Sequence, residues 1–116
     1  NKAEVLGLVF PQYPDQPLAI AADYLAQHNV YHDQVGELRF VVVTDASGAN
    51  RVYEARDLRF VAWDGAATLQ DEDGNTWQLT EAQLRSEQGQ VLHRLPAHRA
   101  FWFGWYSAYG HTRLVY

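Results

Sequence analysis

The chain has 116 residues, 47% of them apolar, and a formal net charge of −5. That length fits one domain spanning 1–116 with a core of its own. The absence of cysteine excludes disulfides, thiolate metal sites and cysteine nucleophiles, and the acidic balance argues against a nucleic-acid footprint. There is also no methionine, which points to a domain processed or excised from a longer chain. No apolar run within these residues approaches the roughly 18 residues of a membrane span.

Glu4 to Phe10 reads as a first strand, stopped by Pro11. Three prolines between Pro11 and Pro17 mark a loop. Leu18, Ala21, Ala22 and Leu25 then fall at i, i+3, i+4 and i+7 behind Pro17, so the spacing predicts a helix over about 17–27. Asn29–Val35 and Glu37–Thr44 read as a hairpin turning at Gly36. Phe40-Val41-Val42-Val43 is continuous and β-branched, the mark of a central strand covered on both faces. Arg51–Ala55 returns as a strand, and Leu58–Trp63 follows. Ala67–Gln70 and Thr76–Leu79 flank a turn at Asp73-Gly74. Thr80–Leu84 reads as one helical turn or a loop, Gln90–Leu95 as a short strand, and Thr112–Tyr116 as a last extended segment.

Ala100 to Gly110 holds two of the four tryptophans. Trp102, Trp105, Tyr106 and Tyr109 share one face of a helix expected over about 98–109. So many aromatic rings imply that the rest of the chain covers this helix, each ring burying about 150–250 Å². Trp63 and Trp77 are expected in the core as well, the competing reading for the tryptophans being a partly exposed aromatic surface that docks another domain, a membrane or a sugar. Short connections favour antiparallel pairing. The predicted class is α+β, mostly β: a curved antiparallel sheet or partly open barrel, with a short N-terminal helix and the aromatic C-terminal helix packed on it.

Gly89-x-x-Leu92, Leu95-Pro96, Trp102-Phe103-x-Trp105 and Thr112, in that order, are similar to the C-terminal signature of a bacterial and archaeal domain-of-unknown-function family, number 3179. Upstream, Leu25-x-x-His28, Asp33-x-x-Gly36, Val41-Val42-Val43-Thr44, Leu69-x-Asp71 and Gly74-x-x-Trp77 resemble further parts of its pattern. The family is uncharacterised, so the resemblance implies no activity. Members are commonly exported or membrane-attached, which implies an extracytoplasmic setting in bacteria. Many carry a cysteine pair, or a selenocysteine variant, just after the central strand. This chain has Thr44-Asp45-Ala46-Ser47-Gly48 there, which counts against a thiol-redox role. It also has His32 where the family often has asparagine, and Gly110-His111 where proline–aspartate is usual.

His28 and His32 are four apart, as in zinc-binding helices, and with Asp33 make a candidate three-ligand site for a divalent transition metal. The competing reading has His28 capping the early helix or bonding a backbone carbonyl, and His32 exposed. His93, His98 and His111 bracket the aromatic helix, beside Arg99 and Arg113. His98, Arg99, Trp102, Trp105, His111 and Arg113 are therefore the candidate wall of a pocket for an anionic or aromatic ligand. The alternative is that the arginines pack on core aromatics and the histidines satisfy strand ends. Asp71-x-Asp73-Gly74-Asn75 departs from calcium-loop spacing and reads as a plain hairpin turn. Ser47 and Ser107 lie in no Gly-x-Ser-x-Gly elbow.

The leading expectation is a non-enzymatic ligand-binding or protein-interaction domain of a larger exported or membrane-attached bacterial protein. Its partner is then the remainder of that chain or another protein. The alternatives are a metal-binding, possibly metal-dependent, domain using His28, His32 and Asp33, and a purely structural domain without a cofactor.

Overall fold

The computed structural model describes residues 3–116. Twelve strands and two helices follow in order: β1 (Glu4–Leu8), β2 (Leu18–Ala21), α1 (Ala22–Gln27), β3 (Val30–Val35), β4 (Leu38–Thr44), β5 (Asn50–Glu54), β6 (Phe60–Trp63), β7 (Thr68–Asp71), β8 (Thr76–Leu79), β9 (Gln83–Ser86), β10 (Val91–His93), β11 (His98–Phe101), α2 (Trp102–Ala108) and β12 (Arg113–Val115). The α+β, mostly β class is the one expected. The strands divide into three sheets, ordered β11-β1-β2-β12, β3-β4-β5 and β10-β9-β8-β7-β6, and none closes into a barrel.

Alternation along each strand explains how these sheets stack. Phe40 and Val42 of β4 join Leu6, Leu8, Leu18 and Ile20 of the first sheet in one apolar cluster. Val41 and Val43, pointing the other way, join Phe60, Leu69, Trp77, Leu84 and Leu92 of the third sheet in another. The middle sheet is thus buried on both faces, as the unbroken Phe40–Val43 run requires. The outer face of the first sheet carries Val5 and Ala19, and there Trp105 of α2 lies against them. The layers therefore run α2, first sheet, middle sheet, third sheet.

Two bonds bind the middle and third sheets together at opposite edges. The Phe60 amide donates to His32 Nε2 of β3, and Tyr53 of β5 bridges to Arg94 beyond β10. Inside the third sheet, Asp71 organises the β7–β8 hairpin. Its carboxylate accepts from the Asp73 and Asn75 amides and from the buried Trp77 indole N–H at 3.0 Å. Burial alone would raise the Asp71 carboxyl, but these hydrogen bonds outweigh it and hold the pKa below the ordinary carboxylate value. The turn at Asp73-Gly74 is the hairpin expected.

Both predicted helices are shorter than their periodicity suggested. Leu18–Ala21 is a strand, and only Ala22–Gln27 is helical. Leu18 to Ala21 pairs with β1 on one side, and Leu18 to Ile20 with β12 on the other, so ladder hydrogen bonds on both edges override the helical spacing. His98–Phe101 likewise pairs antiparallel with β1, and the helix begins at Trp102. Thr80–Ala82 is a bend leading into β9, which Gln83 and Leu84 begin, so no helical turn forms there. The pairing of β12 with β2 is parallel, against the antiparallel expectation. A parallel pair needs a long crossover, and nearly the whole chain lies between these two strands.

Candidate functional site

Gly7, in the interior of β1, is what seats the aromatic helix. A Cβ on Gly7 would overlap the six-membered ring of Trp105, so only glycine lets the indole lie flat on the sheet. Trp105 is 2% exposed, and its Nε1 donates to Thr112 Oγ at 3.0 Å. Tyr109 packs on the same indole at a ring distance of 4.5 Å, and His98 meets it edge-on at 5.6 Å. Trp102 is half-buried and touches Tyr106 at 5.4 Å.

The other aromatic rings of this segment are not covered. Phe101 is 57% exposed, Phe103 70% and Tyr106 54%. This corrects the expectation that the chain would bury the whole helix. A seven-residue helix lying on a sheet presents only one side to it. Trp105 takes that side, so Phe103, which projects nearly opposite it, faces water, and Tyr106, on the flank beside Trp102, stays largely exposed. The two core tryptophans are Trp77 and Trp105, while Trp63 is half-buried and donates its indole N–H to the Thr44 carbonyl.

The six residues expected to line one ligand pocket go to three places. His98, Trp102 and Trp105 stay together at α2. Arg99 reaches across to the Gly48 carbonyl in the β4–β5 turn and to Asn50 Oδ1 at the start of β5, and pairs with Glu4. Arg113 makes a two-pronged contact with Asp33 at 3.0 and 3.1 Å and also donates to the Gln34 carbonyl. His111 lines a small cleft with Pro17, Gln34 and Arg113. Strand alternation separates His98 from Arg99, and the β12 position carries Arg113 to the far edge of the first sheet.

The His28, His32 and Asp33 set is also dispersed. His28 stacks on Tyr24 with ring centroids 4.0 Å apart, and its Nδ1 lies 2.9 Å from the Tyr24 carbonyl. His32 and Asp33 are adjacent on a strand and so project to opposite faces. His32 Nε2 already accepts from Phe60. Burial holds the His32 pKa below the ordinary imidazole value, and the nearby Arg59 charge pushes it the same way. Asp33 is tied to Arg113, to the Tyr31 hydroxyl at 2.6 Å and to the Gln34 amide. Burial would raise the Asp33 carboxyl, but the bonds from Arg113 and Tyr31 outweigh it and leave it lowered. Among the described residues no group of three or more His, Asp or Glu is arranged to hold a metal ion.

The β4–β5 turn is closed by Asp45. Its carboxylate accepts from the Ser47 hydroxyl and amide, the Ala49 amide and Arg51. These bonds, led by the Ser47 hydroxyl, lower the Asp45 pKa to about 2. Ser107 donates to the Phe103 carbonyl, so both hydroxyls weighed as nucleophiles are engaged in local turns or helix bonds.

What sequence reasoning missed is the outward trio Phe101, Phe103 and Tyr106. The available signal was Gly7, an isolated glycine inside an apolar strand, which marks close approach of a neighbour and so a helix held by one side only.

No curated protein and no solved structure matches the chain. The sequence model of one family, described as Protein of unknown function (DUF3179), matches residues 1–112. Covering all but the last four residues, that match includes β1 with Gly7, the central β4 strand and α2, and the chain therefore belongs to this family of unknown function.

Proposed function

We propose that this is a non-catalytic protein-interaction domain whose docking element is the β11–α2 corner. The observation that carries this reading is the clustering of exposed rings. Among the described residues, three of the five exposed large hydrophobic ones, Phe101, Phe103 and Tyr106, lie within six positions of one another. They stand beside β11, the edge strand of its sheet. Exposed apolar area next to an unpaired strand edge favours association with another protein. Phenylalanine, tyrosine and tryptophan are the residues enriched in the cores of such contacts. Helix α2 contains no lysine or arginine, which disfavours an anionic membrane surface as the occupant. The setting we attach to this reading, a larger exported or membrane-attached bacterial protein, is supported by the family resemblance.

For the isolated chain the partner is a second copy, joined through the β11 edges with the aromatic rings of both copies in contact. Sedimentation velocity over a concentration series should show reversible dimers. The double change Phe103→Ser and Tyr106→Ser should abolish them without moving the urea midpoint. A chain that stays strictly monomeric at high concentration, or a double variant that dimerises unchanged, would overturn the proposal.

A further inference from the structure

A cleft of about 470 Å³ opens between the start of β4, the middle of β3, the β5–β6 connection and the β7–β8 turn, with no residue of α2 in its lining. Its charged and titratable lining includes His32, Arg39, Arg56, Asp57, Arg59 and Glu72. That volume is in the range of small-molecule sites.

Three features set it apart from ordinary solvated surface. The first is charge that does not pair. Of the eight arginines, Arg51, Arg56, Arg94, Arg99 and Arg113 have carboxylate partners among the described residues. Two of the remaining three, Arg39 and Arg59, converge on this cleft. Asp57 and Glu72 line it too, and neither forms an ion pair among the described residues. Asp33 and Arg56 also line the space but are paired with Arg113 and Glu54, so two unpaired cations and two unpaired anions border it without meeting across it.

The second feature is a donor left over. Because His32 Nε2 accepts from the Phe60 amide, the neutral ring carries its proton on Nδ1. That N–H has no acceptor among the described residues and is not sealed from solvent. Arg59 borders the same cleft as this ring.

The third is backbone strain. Arg56 has φ of 54°, the one left-handed non-glycine residue among those described. That conformation brings Cβ close to the following carbonyl oxygen and is disfavoured for a residue with a side chain. It occurs in the tight turn closed by the Leu58 amide on the Ala55 carbonyl. The same turn also borders an adjoining cavity of about 190 Å³ that reaches Trp77. Strain of this kind collects at ligand sites.

A simple anion would meet Asp57 and Glu72 as well as the arginines, and a simple cation would meet the reverse. We propose that the cleft binds a small zwitterion, a free α-amino acid. Its carboxylate is held by Arg39, Arg59 and the His32 Nδ1–H, and its ammonium by Asp57 and Glu72. A ligand bearing both signs pairs all four charges at once, and charge-assisted bonds of this kind are the stronger ones.

The test is an amide-resolved NMR titration of the ¹⁵N-labelled chain at low ionic strength. The probes are L-glutamine, N-acetyl-L-glutamine and L-glutaminamide, which retain both charges, the anion only and the cation only. L-glutamine should give saturable shifts at residues 32–34 and 55–59, and the two blocked compounds should bind about tenfold more weakly or less. Arg59→Gln and Asp57→Asn, both at exposed positions, should each weaken L-glutamine by a similar factor with the rest of the spectrum unchanged. Absence of saturable shifts overturns the proposal. So does equal binding of either blocked compound, or undiminished binding by either variant. Phe103→Ser should leave this titration untouched, which keeps its outcome separate from that of the docking corner.

Discussion

Replacing Gly7 with alanine should unfold more than a single methyl group ordinarily would, and the reason lies entirely in Trp105. The added Cβ falls inside the space of the indole ring. The ring is 2% exposed and pinned through Nε1 to Thr112, while β1 is paired on both edges. Neither side has room to yield, so overpacking costs about 1–3 kcal/mol. Without the ring, alanine in place of glycine inside a strand gains about 0.5–1 kcal/mol. Trp105→Ala by itself removes a buried aromatic residue and should cost about 3–5 kcal/mol. In that background Gly7→Ala therefore changes sign. The coupling between the two positions is the sum of the overpacking and propensity terms, about 1.5–4 kcal/mol. Urea denaturation of the parent, both single variants and the double variant, followed by far-ultraviolet circular dichroism, measures it directly. Additive losses, within about 0.5 kcal/mol, would refute the reasoning. A Trp105→Ala loss below about 1 kcal/mol would show that the ring is not the anchor of α2.

Two further outcomes follow from charged groups held inside hydrogen-bond networks. Asp71→Ala strands the buried Trp77 indole N–H and two turn amides, and should cost about 3 kcal/mol in the same assay, whereas Asp71→Asn keeps an acceptor and costs less. A loss within about 0.5 kcal/mol for the alanine variant would show that water replaces the carboxylate. Asp33 has its folded pKa below its ordinary 3.8 because the bonds from Arg113 and Tyr31 outweigh burial. The stability it contributes is therefore complete above about pH 3.8 and declines as pH falls through the folded value. Asp33→Asn should lose roughly 1 kcal/mol at neutral pH, since Arg113 is half exposed, and should flatten that part of the acid-unfolding curve. A variant whose acid profile parallels the parent would show that the Asp33–Arg113 pair does not tie β12 to β3.

Some features of this protein are decided by local chemistry. Val41, Val42 and Val43 admit no solvated face, so β4 had to be central. Gly36 with its positive φ, and Asp71 with Gly74, carry their turns whatever surrounds them. Their strands and hairpins were accordingly legible, as was the mostly β class. Other features depend on neighbours distant in the chain. Leu18–Ala21 has helical spacing and becomes a strand because β1 and β12 flank it. His98–Phe101 becomes one because it meets β1. Arg99 and Arg113, close to the aromatic helix in sequence, are drawn away by the Gly48 carbonyl in the β4–β5 turn, by Asn50 at the start of β5 and by Asp33 on β3. Periodicity names which side chains share a face, but not which face finds a partner. For α2 that choice was made by the space above Gly7, which accepts one indole and leaves Phe103 and Tyr106 in water.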